Sequence, residues 1–295
     1  MAWPHVHRSL RRTLTDRTNL PTFLVIGAMK AGTTSLYEYL RGHPQIFMAT
    51  PKELHFFPES KHWANGVEWY AAHFANAGEA LARGEISPSY SQADQFPGVA
   101  RRVAQVVPDV RIVYVVREPV SRAVSMYIHQ YSGGRETLPV DDALRNRPMY
   151  VNSSRYAWQL DQYLEFFPDE RICVVTSEAL MSDRTATLRR IYEFIGVDGG
   201  VLPPSVDEEK GRTEDKRMRR PVAARLRDNL IYRAVVDNSP ERVRRLGQRA
   251  LSQRVDPDLA RISDACAVEL REHLAPDVAR LRRFLGPDFD GWGIA

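Results

Sequence analysis

Two cysteines are all that the 295 residues contain, and Cys173 and Cys266 stand far apart with no CxxC or Cys/His ligand spacing. A disulfide framework and a structural zinc site are therefore excluded as sources of stability, and the pattern predicts a reducing compartment. Long hydrophobic runs are missing as well. No stretch approaches the roughly 20 apolar residues that a bilayer span needs. The first twenty residues are basic and polar, with no apolar segment of signal-peptide length. The expectation is a cytoplasmic protein of bacterial type with no transmembrane segment. Lysine is scarce too: Lys30, Lys52, Lys61, Lys210 and Lys216 are the only five among 41 basic side chains. The formal net charge of +4 is too small an excess to argue for a nucleic-acid partner, and none is expected. Lysine is a compact point charge where arginine is a fork, so a retained lysine can mark a place where the point charge matters. Three of the five fall in the motifs below.

What is present is an ordinary globular composition, 43% apolar and 26% charged, with no internal repeat or low-complexity linker. The informative stretch is Phe23-Leu-Val-Ile-Gly-Ala-Met-Lys-Ala-Gly-Thr-Thr-Ser-Leu-Tyr37. A short apolar run ends at Gly27, passes through a small-residue loop and opens into a helical pattern. Such strand–loop–helix units hold phosphate on backbone N–H groups at a helix N-terminus. Gly27 and Gly32 keep the glycine spacing of a Walker A loop and Thr34 its hydroxyl, but Thr33 stands where that loop carries lysine. The lysine is Lys30, inside the turn, which suits a shorter anion whose leaving oxygen lies over the loop.

Hydrophobic patterning predicts strands over 21–27, 45–49, 111–117 and 171–176, with a strand end and turn over 85–90. Helices are predicted over 33–42, 96–107, from Pro119 to about Tyr131, 154–167 and 183–195, the last closed by Gly196. The segment 51–75 is aromatic-rich and partly helical, and 133–152 reads as a loop with a short helix. Residues 203–220 read as a polar loop and 221–285 as Arg-rich helix. Strands alternating with helices predict an α/β fold, a P-loop-type three-layer arrangement with a central, mostly parallel sheet. The expected organisation is a basic arm over 1–20, one α/β domain over 21–220, and a helical C-terminal extension over 221–295 packed on it.

Three further segments carry chemistry. In Val115-Val-Arg-Glu-Pro-Val-Ser-Arg-Ala-Val-Ser-Met-Tyr127, Arg117 ends a central strand and Ser125 follows on the next helix. Ligands of such sheets gather at the carboxyl ends of the strands, so the pair is a candidate second phosphate site. In Pro51-Lys-Glu-Leu-His-Phe-Phe57, Glu53 and His55 are two apart and would face the same way in an extended chain. Aromatic neighbours would desolvate the carboxylate and raise its pKa into the range of a usable base. Taken alone, that heptad reads slightly better as a half-buried strand with a solvated Lys/Glu pair. The basic turn Glu208-Glu-Lys-Gly-Arg-Thr213 is weak by itself.

In order along the chain, these phrases, with Glu85-Ile-Ser-Pro-Ser-Tyr90 and Ser154-Arg-Tyr-Ala157, resemble the sulfotransferases that use 3′-phosphoadenosine 5′-phosphosulfate (PAPS). The similarity is to the branch of heparan sulfate N- and 3-O-sulfotransferases and their bacterial relatives, over roughly Phe23 to Arg212. The resemblance implies that Lys30, Ala31, Gly32, Thr33, Thr34 and Ser35 hold the 5′-phosphosulfate and that Arg117 and Ser125 hold the 3′-phosphate. Lys210, Gly211 and Arg212 would close over the nucleotide. Glu53 would be the general base, with His55 as its support or as the base instead, and Lys30 would neutralise the leaving oxygen. Tyr90 and Tyr156 are candidates for lining the acceptor site, although core packing is the commoner fate of such tyrosines. One departure is Ile86, where relatives often carry lysine before Ser-Pro.

The implied reaction is in-line transfer of a sulfuryl group to a hydroxyl or amine of a saccharide, glycolipid or small molecule, releasing adenosine 3′,5′-bisphosphate, with no metal required. A small-molecule kinase of the P-loop type would need lysine at Thr33 and a strand-end aspartate for Mg²⁺, and Arg117-Glu118 stands in the nearest place. A non-catalytic nucleotide- or polyanion-binding module would not need a base and lysine together.

Overall fold

The structure is a computed structural model that describes residues 19–203 and 260–295, and the backbone of 217–219 and 252–254. Five strands form one sheet in the order β2-β3-β1-β4-β5, where β1 is Phe23–Gly27, β2 Ile46–Met48, β3 Ala82–Ile86, β4 Arg111–Val116 and β5 Ile172–Thr176. Every neighbouring pair is parallel. β1 is buried along its whole length and β4 everywhere but its first residue. A parallel sheet covered on both faces leaves no polar side to write into its strands, hence the unbroken apolar runs.

The helices are α1 (Thr33–Arg41), α2 (Gly66–Ala72), α3 (Val99–Val106), α4 (Pro119–Ser132), α5 (Val140–Asn146), α6 (Pro148–Asn152), α7 (Tyr156–Leu164), α8 (Ser177–Ser182), α9 (Arg184–Ile195), α10 (Asp264–Arg280) and α11 (Arg282–Leu285). The segment expected as a loop with one short helix, 133–152, contains two, α5 and α6. Of the helical tail expected over 221–285, α10 and α11 lie within the described residues, but Ser252–Arg254 is a strand, paired antiparallel with Arg217–Arg219 of the segment expected as a loop.

From β1 the chain moves outward to β2, returns to β3 beside β1, then crosses to β4 on the other side. The strand order therefore reverses at β1, and a crevice opens past its carboxyl end. Four segments meet there: the loop after β1, the turn Pro88–Ser91 after β3, the β4–α4 junction and the start of α8. Short bonds register them: Ala28 N donates to Val115 O at 2.6 Å and Ser87 N to Val25 O at 3.1 Å. Gly27 is needed for this closeness, because a Cβ on it would lie 2.2 Å from Ser91 Oγ.

A second apolar cluster joins α4, α5 and α6 to α10, through Met126, Tyr127, Leu144 and Tyr150 against Cys266, Leu270, Leu274 and Val278. Each fully buried aliphatic side chain there contributes about 1.5–3 kcal/mol. The same helix supplies a cap across the chain: the Asp277 carboxylate accepts Ala157 N and Trp158 N, both at 2.9 Å. α7 carries no cap of its own, so its first turn depends on α10. Asp277→Ala is expected to lose about 1–3 kcal/mol, by removing a cap and leaving buried N–H donors unmet. The urea midpoint of unfolding reads that loss.

Candidate functional site

The loop after β1 ends at Gly32, which takes a left-handed φ of 93° and starts α1 with no side-chain cap and no acidic residue in the first turn. The first intrahelical bond is Leu36 N to Gly32 O at 3.1 Å, so the N–H groups ahead of it point out of the helix end. With the positive end of the helix dipole, they suit an anion. Two arginines brace the loop from behind. Arg117 Nη1 donates to Lys30 O and Arg122 Nη1 to Met29 O, each at 3.4 Å. Arg122 is fully buried and also donates Nε to Ser154 Oγ at 2.6 Å and Nη2 to Tyr150 O. Lys30 takes a φ of 74°, and its neighbours Ala31 and Thr33 are buried while Gly32 and Thr34 face solvent.

Opposite α1 stand Glu53 and His55, in a loop rather than the extended chain expected for 51–57. Both take left-handed φ, 66° and 48°. The cause lies at the end of β3. Ser87 Oγ accepts His55 N at 3.1 Å, and Tyr90 Oη accepts Phe56 N at 3.0 Å. Those two hydroxyls, with that of Tyr70, donate to the buried Glu85 carboxylate at 2.9, 2.6 and 2.7 Å. Burial raises the Glu85 carboxyl above its ordinary value, and the three donors partly offset this. The loop is thus pinned by backbone donors to a buried polar hub, and its turns bring Glu53 Oε2 within 3.3 Å of His55 Nε2.

The other ring nitrogen, Nδ1, lies 2.7 Å from Ser89 Oγ. A carboxylate only accepts, so the Glu53 contact places a proton on Nε2, while the Ser89 hydroxyl can donate to Nδ1 or accept from it. The sequence predicted a raised Glu53 pKa, and the structure corrects the sign. The His55 hydrogen bond lowers it most, burial pushes back, and the adjacent Lys52 ammonium helps bring it to about 2. Lys52 Nζ lies 2.8 Å from Glu53 Oε1 and 3.4 Å from Thr34 Oγ1 on α1.

At the β4 edge, Arg117 is half-buried, and Ser125 lies on the buried face of the helix that follows it. Glu118 caps that helix by accepting Val120 N and Ser121 N at 3.1 and 2.6 Å. Tyr90 and Tyr156 are 2% and 0% exposed, with hydroxyls donated to Glu85 Oε1 and, at 2.8 Å, to Arg117 O. They are core residues rather than walls of an acceptor site. Lys210, Gly211 and Arg212 lie outside the described residues. The sequence reading quoted Lys52, Ser89 and Glu85 within its motifs but gave them no part in the site. The available signal was Glu85 itself, an acid inside an apolar strand that needs nearby hydroxyls to be tolerated.

The residues present fit an adenosine bisphosphate: an uncapped helix end, hydroxyls on its first turn, and Lys30, Lys52 and Arg117 around it. A family model described as the sulfotransferase family matches residues 21–199. Mouse heparan sulfate glucosamine 3-O-sulfotransferase 3A1 is 34% identical over 188 residues, 60% of this chain and 46% of that protein. Human heparan sulfate glucosamine 3-O-sulfotransferase 6 is 32% identical over 193 residues, 61% of this chain and 54% of that one. The chain thus spans about half the length of these curated relatives. Among solved structures, a sulfotransferase from Alicyclobacillus acidocaldarius superposes with a TM-score of 0.65 at 26% identity, covering 92% of this chain and 98% of that one.

Proposed function

We propose, from the premise that this chain belongs to the sulfotransferase family, that it transfers a sulfuryl group from PAPS to a hydroxyl or amine of a saccharide-type acceptor. The observation that carries this reading is the placement of a carboxylate–imidazole pair across one lysine from an uncapped, cation-ringed helix end. When bound, the nucleotide supplies an activated sulfuryl group and a phosphate that can leave. The N–H groups and hydroxyls of Thr33, Thr34 and Ser35, with the loop Lys30–Gly32, hold the 5′ end. Arg117 and Ser125 hold the 3′-phosphate, with Lys210, Gly211 and Arg212 contributing to the nucleotide site. Lys30 meets charge developing on the leaving oxygen. Glu53 accepts the proton of the attacking group at its carboxylate, and His55, already donating from Nε2, orients it.

The saccharide acceptor is supported by the relatives, whose names specify a glucosamine of heparan sulfate. It is also supported by an aromatic cluster that follows the base along the chain, where Trp69 stacks on Phe56 at 6.1 Å and His62 on Trp69 at 5.1 Å. Sugars pack their apolar faces on such rings. Calorimetry with adenosine 3′,5′-bisphosphate against ATP–Mg²⁺ tests the donor half. Tight binding of the bisphosphate is expected, weakened at least tenfold by Arg117→Ala through loss of a charge-assisted phosphate contact. Preference for ATP–Mg²⁺, or an unchanged dissociation constant in the variant, overturns it. Labelled-donor transfer to a panel of oligosaccharides tests the acceptor half.

A further inference from the structure

We propose that Lys52 is the cation that couples the anion site to the base, pairing with Glu53 while the site is empty and turning to the anion at the N-terminus of α1 when it is filled. The inference rests on the sulfuryl-transfer reading above and adds a residue to it.

The geometry is unusual for neighbours in sequence. Residues 52 and 53 would point to opposite sides of an extended chain, yet Nζ of one lies 2.8 Å from Oε1 of the other. The left-handed φ of 66° at Glu53 lets the two side chains meet. That conformation is held from outside, by the bonds of His55 N and Phe56 N to Ser87 and Tyr90. From this position Lys52 also reaches Thr34 Oγ1, on the first turn of α1, at 3.4 Å. One ammonium thus touches the carboxylate on one side and the anion-binding turn on the other. Two of its three donors are accounted for, and its side chain is 21% exposed.

The surrounding charges leave this task to Lys52. Among the described residues, the strand β3 ends in Ile86, fully buried, and continues into Ser87 and Ser89, so this edge of the crevice offers hydroxyls and no cation. Lys30 belongs to the opposite loop. Glu53 is faced by Lys52 and His55 from its own loop. Behind His55 stand Ser87, Ser89 and the carboxylate of Glu85. Of these, Lys52 also hydrogen-bonds the first turn of α1. An anion beside Thr34 competes with Glu53 for the same ammonium. Its binding therefore removes a stabilising partner from the carboxylate and makes Glu53 a better proton acceptor. The base is strengthened when the donor site is occupied and held back when it is empty.

The test follows the Glu53 carboxyl directly, by NMR titration of protein labelled with ¹³C at the glutamate carboxyl carbon, in wild type, Lys52→Met and Lys52→Arg. In the empty wild type the carboxyl is expected to titrate at about 2, held down by His55 and Lys52. Lys52→Met is expected to move it up by about 1–2 units, as loss of a cation at contact distance does, and Lys52→Arg to keep it low. Saturating wild type with adenosine 3′,5′-bisphosphate is expected to close most of the gap to Lys52→Met, and the variant is expected to bind the bisphosphate several-fold more weakly. A Glu53 titration unmoved by Lys52→Met, or unmoved by bisphosphate in the wild type, overturns the inference. If wild type fails to bind the bisphosphate at all, the sulfuryl-transfer reading falls and the coupling with it. The pairing in the empty site is still decided by the Lys52→Met titration alone.

Discussion

Glu53→Gln is expected to cut turnover by about 10²–10⁴-fold, the usual contribution of a positioned general base, while leaving the affinity for adenosine 3′,5′-bisphosphate nearly intact. Glutamine keeps the shape and can still accept the Nε2–H of His55 through its amide oxygen, while its amide nitrogen cannot accept from Lys52, which is left free to meet the anion. What is lost is the capacity to take a proton. Steady-state rates with saturating donor, beside calorimetry on the same preparation, separate the two effects. Near-normal turnover would remove Glu53 as the base.

The pH profile gives the sign independently. The ionised carboxylate is the active form, so the rate rises as pH climbs through the Glu53 pKa and is level above it. With that value at about 2 in the empty site, the kcat/KM profile of wild type, which reports the free enzyme, should show no acid limb from this group in ordinary assay buffers. A carboxylate that acidic is also a poor proton acceptor, and its low value describes a resting site in which His55 and Lys52 are both paired with it.

The central strands were legible because they are buried on both faces, and an apolar run such as 23–27 or 112–116 can do little else, whereas β3, with Arg83 and Glu85 in its run Ala82–Ile86, showed only its end over 85–90. The anion loop was legible because its glycines, lysine and threonines are contiguous, so short-range geometry carries the message. Around Glu53 that condition fails. The turn there is imposed by Ser87 and Tyr90, more than thirty residues away, and local pattern suggested an extended chain. The sign of the carboxyl shift was missed because the aromatic surroundings were weighed above the His55 hydrogen bond, which lowers it most, and because an extended segment sends Lys52 away from Glu53. The role of α10 was hidden for the same reason: Asp277 caps a helix 120 residues earlier in the chain, and no window of sequence contains both partners.

Lys30→Ala is the second large effect. As negative charge grows on the oxygen between phosphate and sulfuryl group, a preorganised cation there is worth far more than one in water. The structure gives Lys30 a fixed starting point. Its carbonyl is held by Arg117, its φ of 74° turns it out of the strand direction, and the helix that follows begins three residues later, at Thr33 past Gly32. Loss of about 10²–10³-fold in turnover is expected, on the scale of removing one such donor. The bisphosphate product should lose less affinity than turnover falls, because its charge is shared among backbone N–H groups and other cations while the developing charge is not. Lys30→Arg is expected to recover only part of the rate, since a planar fork cannot occupy the place of a compact ammonium in a tight turn. Turnover within a few-fold of wild type in Lys30→Ala would mean that Lys30 does not face the leaving oxygen. Lys52, already in contact with Thr34, would then be the cation that does, and the double variant would show no further loss beyond Lys52→Met.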